Sequence, residues 1–169
     1  MIAWGTLQLA KDEEGKLEND FDITAIFKRN ADTVYRVCLT YLRAPADAED
    51  VTQQVFMRLI AAPRTFNDRE HEKAWLIRCA VNACKDVLKS AHRVRSAEMP
   101  PDVEDPHKRD ETLDAVLALE DPHRICVYLH YYEGYTSAEI AELLGSNAST
   151  VRNWLAEARG QLREILGGE

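Results

Sequence analysis

The residues best equipped for chemistry lie between positions 78 and 93. Laid out at helical steps, Arg78, Asn82, Lys85, Lys89, His92 and Arg93 fall within an arc of about 100°. Leu76, Ile77, Ala80, Ala83, Cys84, Val87 and Leu88 fill the opposite side. One face is core and the other is a cationic ridge with an amide in it, a pattern suited to a nucleic-acid backbone. A merely solvated face would intersperse Asp and Glu, and only Asp86 lies near the arc. No other set of residues suggests a reaction. There is no Ser/His/Asp pattern, no phosphate-binding loop and no metal-ligand spacing, so neither an enzyme nor a cofactor is expected. Cys38, Cys79, Cys84 and Cys126 each sit in an apolar helical stretch and read as reduced core thiols. A zinc or redox site from Cys79, Cys84 and His71 or His92 matches no familiar ligand spacing.

Charge is distributed unevenly around that ridge. The 169 residues carry a net charge of −8, but residues 64–95 hold eight Lys and Arg against four Asp and Glu. Residues 96–122 reverse this, with two basic residues against nine acidic ones. A polyanion responds to charge within a Debye length of ~8–10 Å, so an acidic chain can still bind nucleic acid through one basic stripe.

Few Gly and Pro (7 and 6) and apolar residues at three- and four-residue steps predict an all-α protein. Residues 1–20 read as a loosely ordered extension, in which Trp4, Leu7 and Leu9 could dock back on the core. A first helix is expected from Phe21 to Leu42, broken at Ala44-Pro45-Ala46. Asp47 is then expected to cap a second helix running to about Ala61. A loop from Arg64 to Glu72 precedes the basic helix, which runs to about Arg93. Residues 96–111 pair Pro100 and Pro101 with acidic side chains, which reads as an extended, acidic, Pro-containing linker. The chain is therefore divided into 1–20, 21–95, 96–111 and 112–169, its two small helical domains being independent bodies on a tether.

The second half opens with helices at about 112–119 and from Pro122. Thr136 and Glu139 then form a capping box for a short helix, Ser137–Leu144, which stops at Gly145. Asn147 caps a longer helix to about Leu166 whose inward residues are expected to be Val151, Leu155, Ala158, Leu162 and Ile165. Short helix, tight Gly turn and longer helix constitute a helix-turn-helix. Helix pairs of this shape also serve as packing modules.

Three blocks in order resemble a known family, the small two-domain extracytoplasmic-function sigma factors of bacterial RNA polymerase. They are Asp47 to Leu59 (DAEDVTQQVFMRL), Ala74 to Arg78 (AWLIR) with Asn82 and the basic tail, and Tyr131 to Gly145 (YYEGYTSAEIAELLG) with Thr150-Val151-Arg152 and Ala158-Arg159. The resemblance implies a subunit that binds core RNA polymerase and promoter DNA, directs promoter-specific initiation, and is held by an anti-sigma factor. It implies polymerase contact through Asp50, Gln53, Gln54 and Arg58, beside the family's Val55-Phe56 pair. On residue types alone that stripe reads as a solvated helix face in preference to a partner surface. The −10 promoter element would meet Arg78, Asn82, Lys85, Lys89 and Arg93, with Asn67 and Arg69 on a loop that receives a flipped base. Trp75 reads as a core anchor in preference to a stacking platform. The −35 element would meet Ser149, Thr150, Arg152, Asn153 and Arg159, Arg suiting guanine and Asn adenine.

One departure concerns the last helix. Family members carry further basic residues where this chain has Trp154, Glu157, Gly160 and Gln161, and residues 146–166 net only +1. The second domain is thus expected to bind its −35 element feebly without polymerase. No stretch is apolar enough to span a membrane and the start lacks a secretory pattern, which points to the cytoplasm. Two rivals stand beside the sigma reading. One is a sigma-like helix-turn-helix regulator that is not an initiation subunit, and the other is a redox- or metal-responsive module using Cys79 and Cys84.

Overall fold

The computed structural model describes residues 21–94 and 111–167. The expected N-terminal extension, the linker and the side chains of His92 and Arg93 lie outside the described residues. Among the described residues there are α-helices and no strand, as the composition predicts. α1 is Ile23–Leu42, α2 Pro45–Ala61, α3 Arg69–Val94, α4 Glu111–Ala118, α5 His123–Val127, α6 Ser137–Leu144 and α7 Ala148–Gly167. The backbone of α5 widens into a π-helical turn at Tyr128–Tyr132 before Gly134 reverses it at φ +75°.

Local chemistry sets the boundaries. Asp22 caps α1, its Oδ1 accepting from the Thr24 and Ala25 amides at 3.0 and 3.1 Å. α2 starts three residues earlier than the sequence suggested, with Ala44 and not Asp47 at its N-cap. Pro45 occupies its first turn, where a missing N–H costs nothing, so Asp47 lies inside the helix and caps nothing. α3 likewise starts at Arg69: the Asp68 carboxylate accepts the His71 amide at 2.7 Å and its carbonyl accepts the Glu72 amide at 3.1 Å. The capping box of α6 is formed as expected, with the Thr136 amide donating to Glu139 Oε2 at 2.8 Å and the Glu139 amide to Thr136 Oγ1 at 3.3 Å. Gly145 ends α6 at φ +67°, a conformation that favours glycine.

α1, α2 and α3 form one bundle, in which Val34, Cys38, Val51, Leu59, Leu76, Ile77 and Ala80 are all buried. The second bundle closes around Ile125, Leu129, Ile140, Val151 and Leu155. Each fully buried Leu or Ile contributes about 1.5–3 kcal/mol relative to exposure. The bundles are not independent bodies on a tether, because one continuous apolar cluster runs through both. Arg124, only 2% exposed, reaches from α5 to the carbonyls of Thr40 and Tyr41 at the end of α1. Its other donors go to the Leu119 carbonyl at 2.7 Å and to Asp121 at 2.8 Å. A guanidinium with its donors spent in this way can be buried without an unpaired charge.

Candidate polymerase and nucleic-acid interfaces

α2 repeats its buried positions in steps of three and four: Ala48, Val51, Thr52, Val55, Phe56 and Leu59. The outward stripe is therefore Asp50, Gln53, Gln54 and Arg58, all exposed as expected. Val55 and Phe56 are corrected here. They are 2% and 4% exposed, and Phe56 meets Phe27 edge-on at 4.8 Å, so they face the bundle interior and support the helix from behind. Met57, which the sequence reading passed over, is 51% exposed between Gln53, Gln54 and Arg58. An apolar side chain amid amides and a guanidinium makes a surface suited to a protein partner.

The loop between α2 and α3 is held by aromatic contacts. Phe66 lies 5.8 Å from Trp75 and 5.6 Å from His71, while the Arg64 guanidinium sits 4.7 Å over the Trp75 ring. Trp75 is half-buried, so it is a platform for Arg64 as well as an anchor. Asn67 is exposed, and its amide donates to His71 Nδ1 at 3.3 Å. Arg69 is exposed at the start of α3 rather than in the loop. Phe21, Pro63, Arg64, Thr65, Phe66 and His71 line a cleft of about 640 Å³ beside them. Such a cleft, with rings and a cation at its rim, has the chemistry to take a planar heterocycle. Sequence reasoning missed Arg64, Phe66 and His71, although an aromatic and a basic residue just ahead of a basic helix were available as signals.

Glu72 fastens the base of this loop. It is 4% exposed and accepts from Arg29 Nε at 2.8 Å, Arg29 Nη2 at 2.6 Å and Asn30 Nδ2 at 2.6 Å. Burial alone would raise its pKa, but these donors outweigh burial and hold the carboxyl below the ordinary value.

Along α3, Arg78, Asn82 and Lys89 are exposed on one side, and Lys85 is half-buried. Two members of the ridge already have partners. Arg78 stands 3.7 Å from Glu142 in α6, and Lys85 Nζ donates to the Leu143 carbonyl at 3.3 Å.

In the helix-turn-helix, the Asn147 side chain accepts from the Thr150 amide at 2.9 Å, capping α7 as expected. The same oxygen accepts from the Ser149 hydroxyl at 2.6 Å and the Thr150 hydroxyl at 2.9 Å. Both hydroxyls are thus engaged by the cap, which leaves Arg152 and Asn153 as the exposed, unspent hydrogen-bonding side chains on the first turns. Arg159 is exposed, with its Nη1 3.4 Å from the Tyr131 hydroxyl. Ile165, expected inward, is 47% exposed and Leu166 53%, because α7 outruns the bundle it packs on.

The thiols are uniformly interior. Cys38, Cys79, Cys84 and Cys126 are free and buried. Burial raises the pKa of Cys79 and pushes Cys126 up to about 12, which makes them poor nucleophiles. No cluster of three His, Cys, Asp or Glu suited to a metal occurs among the described residues. No helix among them is long and apolar enough to cross a membrane.

Residues 26–94 match the model of Sigma-70 region 2, and residues 109–162 match that of Sigma-70, region 4. The chain is 30% identical over 152 residues to the RNA polymerase sigma factor CarQ of Myxococcus xanthus, covering 84% of this chain and 87% of that one. It is 30% identical over 148 residues to the ECF RNA polymerase sigma factor SigM of Mycobacterium tuberculosis, covering 84% and 76%. Among solved structures, the sigma factor RpoE of Bartonella quintana, in complex with the anti-sigma factor NepR, shares the fold with a TM-score of 0.70 at 18% identity, over 86% of this chain and 97% of that one.

Proposed function

The chain belongs to the extracytoplasmic-function group of sigma factors, and from that premise we propose how its surfaces divide the work of promoter-specific transcription initiation. Sigma factors are regulatory subunits of RNA polymerase, and that is the role we assign to this chain. The polymerase-facing surface is the α2 stripe of Asp50, Gln53, Gln54, Met57 and Arg58. The cleft of Phe66 and His71, with Arg64, Asn67 and Arg69 at its edge, receives an unstacked base of the −10 element. Arg78, Asn82, Lys85 and Lys89 track the adjoining phosphates, which gives affinity without sequence information. Arg152 and Asn153 read the −35 element in the major groove, with Arg159 on its backbone.

The observation that carries this reading is the alignment on one bundle of the exposed α2 stripe, the aromatic cleft and the cationic side of α3. A DNA-binding regulator without an initiation role is not favoured, since the whole first bundle matches a sigma region 2. An anti-sigma factor is the regulator we propose, the kind of partner with which the Bartonella quintana protein of this fold is seen. The site of action is the cytoplasm, where polymerase and DNA are.

Run-off transcription with purified core polymerase on fragmented genomic DNA tests the reading. New defined starts that require this chain, and that weaken on changing Lys85 and Lys89 together to Ala, are the expected result. Polymerase that copurifies with the chain but initiates nowhere new would contradict it.

A further inference from the structure

The cleft beside α3 is walled by Phe21, Pro63 and Phe66, and its polar side chains are those of Arg64, Thr65 and His71. Their hydrogen-bonding capacities differ. A guanidinium only donates, whereas a hydroxyl does either. A neutral imidazole also does both, so the character of the cleft turns on which nitrogen of His71 carries the proton.

The neighbouring backbone decides this. The Asn67 amide donates to His71 Nδ1 at 3.3 Å, and an amide N–H cannot accept, so Nδ1 must present its lone pair. The proton of the neutral ring is then on Nε2, which has no hydrogen-bond partner among the described residues. Protonating the ring would break the contact with Asn67 but leave Nε2 a donor. The ring is also held in place. His71 is the third residue of α3, where the Asp68 carboxylate accepts its amide at 2.7 Å. Phe66 meets the imidazole at 5.6 Å with the ring planes at 87°, and itself rests 5.8 Å from Trp75. Arg64 is seated over Trp75 at 4.7 Å. Two of the three polar side chains therefore offer donors alone, from positions set before a ligand arrives.

A base entering this cleft is read by what its edge presents. Thymine and guanine carry an exocyclic oxygen where cytosine and adenine carry an amino group. The oxygen can accept from Nε2–H or from the guanidinium. An amino group would face donors, and of the side chains lining the cleft only Thr65 could accept from it. A seated base shields these groups from water, so a donor left without an acceptor is penalised. We infer that His71 is a specificity-determining residue, whose Nε2–H selects a keto base, thymine or guanine, over cytosine or adenine. The inference rests on the reading of the cleft as the receiver of an unstacked −10 base. It adds which class of base is taken and which atom chooses it.

The test uses holoenzyme assembled from purified core polymerase and the full chain, with fluorescein-labelled nontemplate strands of a start site mapped by run-off transcription. Each base of the −10 element is changed in turn to the other three, and binding is read by anisotropy. At one position thymine or guanine should bind at least about tenfold more tightly than cytosine or adenine, the worth of about one hydrogen bond. His71→Phe keeps a ring and removes the donor, so it should narrow that preference below about threefold and leave the other positions unchanged. His71→Gln, whose amide both donates and accepts, should hold the two classes of base within about threefold of each other. His71 is exposed, so neither change should unfold the chain, as circular dichroism would verify.

A preference for cytosine or adenine that His71→Phe abolishes would overturn the choice of base. A keto preference that survives His71→Phe would overturn the role of His71. Phe66→Ala separates these failures from an error in the premise. Unchanged preferences at every position in that variant would remove the base from the cleft, and the inference with it. A position disturbed by Phe66→Ala but untouched by His71→Phe would leave the base reading standing and defeat the inference alone.

Discussion

Replacing Glu72 tests whether the first turn of α3 is anchored as the structure indicates. Glu72→Ala removes the acceptor of three hydrogen bonds, two from Arg29 and one from Asn30. Hydrogen bonds to a charged group contribute about 1.5–3 kcal/mol net each, but the parts are not additive. Arg29, with 36% of its side chain exposed, returns to water at little cost. Asn30 is 5% exposed and keeps its bond to the Ile26 carbonyl at 2.9 Å. The expected loss is about 2–4 kcal/mol for Ala and about half of that for Gln, which keeps one acceptor oxygen. With an m-value of about 2 kcal/mol/M, a loss of 3 kcal/mol lowers the urea midpoint by about 1.5 M. The pH dependence has a definite sign. A carboxyl whose pKa is lower folded than unfolded contributes stability above its ordinary value, and that contribution fades as pH falls through the folded one. Glu72→Gln should therefore flatten the acid side of the stability profile. An Ala variant within about 0.5 kcal/mol of wild type, the scatter of neutral surface changes, would refute the anchor. So would wild type and Gln profiles that fall in parallel below about pH 5.

Four further outcomes follow from the same geometry. Changing Lys85 and Lys89 to Ala should reduce open-complex formation by about tenfold and make its salt slope shallower by about 1–1.5, at roughly 0.7 per single-strand phosphate contact; an unchanged slope would remove α3 from the phosphates. Met57→Asp should weaken capture of core polymerase at least tenfold while leaving the urea midpoint unmoved, and a comparable drop in stability would mark Met57 as structural. Asn147→Ala and Gly145→Ala should each cost about 1 kcal/mol in urea unfolding, the first through the lost cap and the second through φ alone, because a Cβ at Gly145 would meet nothing within 4 Å. On −35 duplexes taken from mapped start sites, Arg152→Ala should relax discrimination at one base pair by about 1–3 kcal/mol, whereas Arg159→Ala should weaken all sequences alike; the reverse pattern would exchange their roles.

Most of the helices could be read from the sequence because their signals are local. The three- and four-residue apolar steps, the Thr136–Glu139 box and the Asn147 cap each act over one turn, and each is formed. Boundaries slipped where a residue type supports two readings. Pro45 breaks the helix before it and also starts the one after it, and Asp68 was a cap hidden in what read as loop. Val55 and Phe56 were taken from a motif although the spacing 48, 51, 52, 55, 56 and 59 already puts them inside. The seam between the bundles was not legible. Arg124 binds backbone carbonyls 83 and 84 positions away, and carbonyls are the same in every residue. The only hint was a cation in the otherwise apolar stretch Arg124–Leu129, all of it buried.

How an acidic protein selects a promoter depends on where its few free cations sit. The chain carries −8 overall, so duplex DNA at a distance is repelled. Close to the surface, Arg78 and Lys85 are already engaged by α6, and Arg159 borders Tyr131. On α7, Glu157 pairs with His123 at 2.8 Å, and Arg152, Arg159 and Arg163 stand against Glu157 and Glu164. Three arginines supply a salt slope of at most about −3, where proteins making 6–10 phosphate contacts approach −6 to −9. The base contacts proposed for Arg152 and Asn153 would add discrimination, but only once the helix is already in the groove. On the proposed reading the placement energy comes from polymerase, through the mixed stripe of Asp50, Gln53, Gln54, Met57 and Arg58 on α2. This division has a consequence for specificity. A free sigma factor with a strong DNA field would be titrated by the excess of non-specific sites, whereas one whose own DNA field is weak reads promoters only as part of the holoenzyme.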